Sequence, residues 1–245
     1  YAYTNNDICD FVNGSWSPAN PMSNIWTSSY KAIQICNQYL AEFQGLTFDE
    51  LKLNDDYRAQ MFRYTNSFKE ARFLRAYFYF NLVRAYGDVP YFTEMVTTDQ
   101  VNSLTRTPAQ EIFNAIIAEC DKLSTELPAD YTKLGLDGIA PAENGRVTCY
   151  AALALKARAA LYAASPLFNP ENNKDLWRRA AEANKEVIET CTANGFKLSK
   201  YSELWGPNNW SNNEMIFVRR YNGNISTLEE YNFPMGVPGG NSGNC

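Results

Sequence analysis

One stretch governs what this chain can fold into: Phe68-Lys-Glu-Ala-Arg-Phe-Leu-Arg-Ala-Tyr-Phe-Tyr-Phe-Asn-Leu-Val-Arg-Ala-Tyr86. On a helical projection its apolar residues fall on nearly every side, so a helix running from about residue 55 to residue 86 must be covered on several faces. It is therefore read as the central helix, with Tyr77, Phe78, Tyr79 and Phe80 as core. Gly87 stops it as a C′ residue, and Asp88-Val-Pro-Tyr-Phe92 continues extended, because the residue before Pro90 avoids the helical region.

Further helices are expected around it. Trp26, Tyr30, Ile33, Tyr39, Leu40 and Phe43 recur at helical spacing, and Asn20-Pro21 offers a start. Thr107-Pro108-Ala-Gln110 predicts a second start, the Thr hydroxyl capping and Gln110 answering it, with the helix reaching about Leu127. An Ala-rich run over residues 148–164 and a helix over 175–193, capped by Asp175 and ended by Gly195, form an antiparallel pair. Such a pair is the unit of a tetratricopeptide-like stack, although no strict thirty-four-residue repeat aligns.

After Gly195, Phe196-Lys-Leu198 and an Asn-rich loop lead to residues 214–221, which predict a strand. The fold class is thus mostly α, with tetratricopeptide-like helix pairs packed around a long central helix, long loops and one or two short strands. We expect a single domain over residues 1–245: an ordered loop over 1–20, a helical core over 21–195, and an aromatic, Asn-rich loop and strand region over 196–245.

Chemistry is constrained by what the chain lacks. A net charge of −5 and a pI near 5.0 argue against nucleic acid as a partner, since that affinity comes from clustered Lys and Arg. The chain has no histidine, which removes the usual general base, the usual zinc ligand and the Ser-His and Cys-His nucleophile arrangements. The six cysteines form no C-x-x-C pair, and Cys36, Cys120, Cys149 and Cys191 sit in helical patterns as small buried hydrophobes. No metal site, cofactor or catalytic residue is expected. Adjacent carboxylates such as Asp49-Glu50, Asp55-Asp56 and Glu229-Glu230 read as solvated faces, because a glycosidase needs two carboxylates facing each other across a bond. Arg72, Arg75 and Arg84 on the central helix are expected to have buried stems or carboxylate partners such as Glu70.

Three blocks in order resemble the SusD/RagB family: Glu70 through Pro90; Arg106-Thr-Pro through Leu127-Pro128 followed by Gly145-Arg146-Val-Thr148; and Asn213-Glu-Met-Ile-Phe217 with the loop over 234–240. Trp26-Thr-Ser-Ser-Tyr30 with Ile33 and Asn37 resembles the family's early helix. The resemblance implies a non-enzymatic, lipid-anchored glycan-binding protein on the extracellular face of the outer membrane. It would hand oligosaccharide to a SusC-like TonB-dependent transporter. The family's anchoring cysteine, export signal and carboxy-terminal region are not in these 245 residues, so the expectation is an incomplete SusD-like domain whose partners include the remaining half of the fold.

Sugar rings offer an apolar C–H face to an aromatic plane, while their hydroxyls need amides and carboxylates at the rim. Trp205, Trp210 and Tyr231 lie in loops rich in asparagine (Asn208, Asn209, Asn212, Asn213, Asn222, Asn224), and Trp16 lies between Asn13 and Asn20. Loops carry function more often than the elements they connect. The glycan-binding candidates are accordingly Trp16, Trp26, Trp205, Trp210, Tyr231, Asn13 and Asn209, with Trp26 equally suited to core packing at the start of a helix. Two other readings fit a helical array: a helical-repeat adaptor for peptides or proteins, and an α-helical glycoside hydrolase.

Overall fold

In the computed structural model, which describes residues 17, 25–136, 145–204 and 212–218, the aromatic stretch is the second half of one 30-residue helix. Among the described residues the α-helices are α1 (Ile25–Glu42), α2 (Tyr57–Tyr86), α3 (Thr98–Ser103), α4 (Ala109–Glu126), α5 (Cys149–Ala164) and α6 (Lys174–Ala193). The chain divides into two units, Ile25–Val218 and a second built from Tyr1–Asn24 with Arg219–Cys245. All the elements named here belong to the first.

Within that unit α2 lies between α1 and α4, α4 packs on α5, and α5 packs on α6. Residues pointing to both sides of α2 explain its position: Phe73, Tyr79, Phe80, Leu82 and Val83 are buried, while Tyr77 and Phe78 are half-buried against the same core. Burying each such large side chain contributes roughly 1.5–3 kcal/mol relative to leaving it in water. In α5, Ala151, Ala152, Ala157, Ala159, Ala160, Ala163 and Ala164 are buried, and with no side chain beyond Cβ they admit neighbouring helices at short range. Cys36, Cys120 and Cys191 are buried free thiols and Cys149 is half-buried; burial pushes Cys120 up to about 12.

Gly87 ends α2 with φ +71, its N–H donating to the Val83 carbonyl at 2.9 Å. The extended segment that follows is pinned back onto the helices. Tyr79 Oη donates to the Phe92 carbonyl (2.7 Å) and accepts from the Phe92 N–H (2.9 Å), and Tyr30 Oη donates to the Pro90 carbonyl (2.8 Å).

Several expectations are corrected in detail. Thr107 does not cap α4, because its backbone is committed to an antiparallel bridge with Val89; Asp88 Oδ1 instead accepts from the Ala109 N–H at 2.8 Å. Gln110 turns away from the helix start and donates through Nε2 to the Ala163 and Phe168 carbonyls, each at 2.7 Å. Asp175 is not the cap of α6: Asn173 holds that position and accepts from the Asp175 N–H at 2.9 Å. Short α3 was not anticipated; it is marked by a capping box in which Thr97 and Gln100 bond reciprocally (3.3 and 2.8 Å).

Residues 212–218 form turns and bends in place of the expected strand. The cause is Asn212, whose Oδ1 accepts from the Glu214 N–H at 2.9 Å while its carbonyl accepts from Met215 N–H at 3.0 Å, folding the backbone back on itself. Residues 219–221 lie outside the described residues.

The arginines of α2 also find partners other than Glu70. Arg72 pairs with Glu119 and Glu126, both at 2.6 Å; Arg75 donates to Asn37 Oδ1 and the Thr93 carbonyl; and the Arg84 guanidinium sits 5.9 Å from the Phe80 ring centre.

The capping arrangement yields a direct comparison. Asp88→Ala is expected to lower stability by about 1 kcal/mol, whereas Asp175→Ala, which removes only an exposed pair with Arg178, is expected to cost at most about 0.5 kcal/mol. Urea denaturation followed by helical circular dichroism measures both.

Candidate functional site

Where the end of α6 meets the start of α5, the unit carries a groove of about 610 Å³. Its floor is organised from α2. Glu70 accepts a two-pronged hydrogen bond from Arg146, Nε to Oε1 at 2.9 Å and Nη2 to Oε2 at 3.0 Å, across 76 residues of sequence. The side chains are 17% and 26% exposed, so water screens the pair only partly. Asn66 Nδ2 donates to Glu70 Oε1 (2.7 Å) and to Tyr131 Oη (2.8 Å), and that hydroxyl lies 2.7 Å from the Val147 carbonyl. Burial holds the Tyr131 phenol well above its usual range, and the neighbouring Glu70 carboxylate adds to the effect.

This network fixes residues 128–134 and 145–148 against α2, and the Cys149 N–H donating to the Pro128 carbonyl (3.1 Å) ties the first turn of α5 to them. The opposite wall comes from the end of α6. Gly195, at φ +88, reverses the chain, and the Phe196 N–H returns to the Cys191 carbonyl at 3.0 Å. Phe196 consequently packs its half-buried ring on Tyr150, ring centres 4.8 Å apart. Residues 212–218 close the third side, held by the Lys197 N–H donating to the Asn213 carbonyl (3.3 Å) and by Ser199 Oγ bonding Asn212 Oδ1 (2.7 Å).

The lining therefore alternates flat apolar groups with hydrogen-bonding ones: Phe196 and Phe217 beside the amides of Asn194 and Asn213, with Asp130 and Lys133 at the rim. Asp130 Oδ1 accepts from Thr132 Oγ1 (2.6 Å) and Thr132 N–H (2.9 Å), and these bonds, with Lys133 nearby, hold its carboxyl below the usual carboxylate range. Thr148 Oγ1, also on the wall, is buried without a hydrogen-bond partner among the described residues. No group of three or more Cys, Asp or Glu side chains is placed to hold a metal among the described residues.

Of the candidates read from sequence, Trp26 is half-buried at the start of α1, its indole edge-on to Tyr86 at 5.1 Å and tilted on Tyr30 at 4.9 Å, packed against the core. Trp16, Trp205, Trp210, Tyr231, Asn13 and Asn209 lie outside the described residues. Asn212 and Asn213, noted within the Asn-rich loops, do line the groove. Sequence reasoning passed over Tyr150, Phe196, Asn194 and Asp130 as site residues. Phe196 had one readable signal: an aromatic directly after a helix-ending Gly is turned back against the end of the helix and its neighbours.

The first unit is thus a helical stack that exposes a groove lined by aromatic and amide side chains. A family model described as SusD-like, starch-binding and associating with the outer membrane matches residues 2–161, and the chain belongs to the SusD-like family. The chain is 26% identical over 210 residues to SusD-like protein P2 of Formosa agariphila, covering 84% of this chain and 35% of that protein. Among solved structures it is similar to a SusD-like carbohydrate-binding protein of Bacteroides fragilis (26% identity, TM-score 0.64, 88% of this chain and 36% of the other). A laminarin-binding SusD-like protein gives 26% identity and a TM-score of 0.64, with 86% and 40% covered. The chain thus spans about a third of the length of the curated relatives it matches.

The Glu70–Arg146 fork carries a measurable expectation. Arg146→Met alone leaves a half-buried carboxylate and is expected to cost about 2–4 kcal/mol, while Glu70→Leu with Arg146→Met costs less than the sum of the single changes. A double-mutant cycle by urea denaturation reads the coupling, and strict additivity would contradict the role given to the pair.

Proposed function

We propose that this chain captures oligosaccharide without cleaving it, in a surface protein of the outer membrane that passes its ligand to a SusC-like TonB-dependent transporter. Membership of a family described as starch-binding, together with one groove that pairs rings with amides, carries the reading. Phe196 and Phe217 take the C–H faces of successive sugar rings, while Asn194, Asn213 and Asp130 satisfy hydroxyls that would otherwise lose their water. Loops of the remaining, longer part of a SusD-like fold complete the site and flank it, and a lipid on an amino-terminal cysteine holds the whole at the cell's exterior face.

The groove's charges support binding without turnover. Asp130 is the one carboxylate among its described lining residues, and it is held ionised by Thr132 and Lys133. Glycoside hydrolysis needs two facing carboxylates, one of them kept protonated as an acid, and that pairing is not formed among the described lining residues.

Calorimetry against laminarin- and starch-derived oligosaccharides, with peptides as controls, tests the proposal. Oligosaccharide binding is expected without release of reducing ends, and Phe196→Ala is expected to weaken it about tenfold, a loss of about 1.4 kcal/mol. Peptide binding without sugar binding, or product release, would overturn it.

A further inference from the structure

A second cavity, of about 230 Å³, opens between α2, α4 and residues 91–93, away from the groove. Arg72, Arg75, Tyr79, Tyr91, Thr93 and Glu119 supply its polar lining. At roughly 30 Å³ per water it has room for about eight waters, which is the scale of one sugar ring and far below that of a chain segment.

Its two arginines are in different situations. Arg72 makes ion pairs with two carboxylates, Glu119 and Glu126, at 2.6 Å each. Arg75 has only neutral acceptors: Nη1 donates to Asn37 Oδ1 at 2.9 Å and to the Thr93 carbonyl at 2.7 Å. Asn37 cannot swing aside, since it is 2% exposed and its Nδ2 donates to the Glu94 carbonyl at 2.9 Å. The guanidinium is therefore held in place by Nη1 alone. Its Nε and Nη2 groups make no hydrogen bond among the described residues, and together they form the edge that matches a carboxylate with two parallel bonds.

Tyr91 adds a complementary group. Its ring lies tilted on Tyr79 with centres 4.6 Å apart, and its hydroxyl likewise makes no hydrogen bond among the described residues. Burial pushes the phenol up, with Arg75 pulling the other way and Glu119 reinforcing the rise, so it stays a neutral O–H donor. With Glu119 hydrogen-bonded to Arg72, the cavity offers one fixed guanidinium edge with no carboxylate bonded to it among the described residues, one neutral hydroxyl and an aromatic face.

We propose that this crevice binds a uronic acid residue of an oligosaccharide, its carboxylate on the Nε and Nη2 edge of Arg75 and its ring against Tyr91. The choice of a sugar as the carrier of the carboxylate rests on the glycan-binding reading, but the site is a separate cavity and is tested with monosaccharides that do not need the groove.

The whole chain is titrated at low ionic strength with glucuronate, glucose and acetate, followed by two-dimensional NMR that includes arginine Nε–H signals. Glucuronate is expected to bind at least about tenfold more tightly than either glucose or acetate. It is also expected to shift the Arg75 Nε–H and the Tyr91 and Thr93 amides while leaving Phe196 and Asn213 unmoved. Arg75→Lys, which keeps the charge but loses the fork, is expected to weaken binding about tenfold, and Tyr91→Phe about threefold. Equal affinity for glucuronate and glucose, equal affinity for glucuronate and acetate, or shifts confined to Phe196 and Asn213 would each overturn the assignment. The NMR map is read on the unsubstituted chain, so it decides the matter even if a substitution at Arg75 unfolds the protein. Failure of neutral oligosaccharides to bind at Phe196 would count against the groove and leave the crevice result standing.

Discussion

The hydrogen-bonded ion pair between Glu70 and Arg146 determines more of this architecture than its size implies. Without it, the described part of the connection from α4 to α5 would have no charged anchor on α2, and the groove would have no floor. The pair sits where desolvation costs both partners, so its net stabilisation is modest and its main effect is to fix one register of that connection. Asn66 and Tyr131 tighten the arrangement by crowding onto the same Glu70 Oε1 that Arg146 Nε bonds, at 2.7 and 3.0 Å, and the Arg146 guanidinium lies 5.7 Å from the Tyr131 ring centre.

Around that anchor the helices are arranged as successive layers, each packed chiefly on the next. Long α2 joins the α1 side of the array to the α4 side because its aromatic residues face both. Alanine-rich α5 serves the opposite purpose, keeping two neighbours close by presenting almost nothing beyond Cβ. In such an array the ends of helices collect at the rims, and turns built there can be reshaped without disturbing the core.

The helices were legible because their signals are long and redundant: nineteen residues from Phe68 to Tyr86 specify α2, and the stop at Gly87 needs only one φ value. The caps were less legible. Thr107 and Asp175 are good capping residues in isolation; Thr107 lost its place to Asp88, which the fold brings to the Ala109 N–H, and Asp175 lost its place to Asn173, an equally good cap two residues upstream. The apolar run after Glu214 has strand composition, but one Asn212 side chain bonding its own backbone outweighed it. Tyr150 and Phe196, 46 positions apart, meet only because α5 and α6 are antiparallel, so nothing local announces that they share a wall. The same holds for Arg75, whose significance depends on which neighbours turned out to be uncharged.

Gln110 shows what a neutral group accomplishes at a junction. Its one amide nitrogen bonds the Ala163 and Phe168 carbonyls, joining the start of α4 to the turn that leaves α5. An arginine or lysine there would make a stronger bond that weakens with added salt, and an acid could not donate at neutral pH. Because an amide neither gains nor loses a proton over any biological range, this seam keeps its strength through swings of acidity and salinity in the surrounding medium, leaving the ion pairs elsewhere as the parts of the molecule that feel such changes.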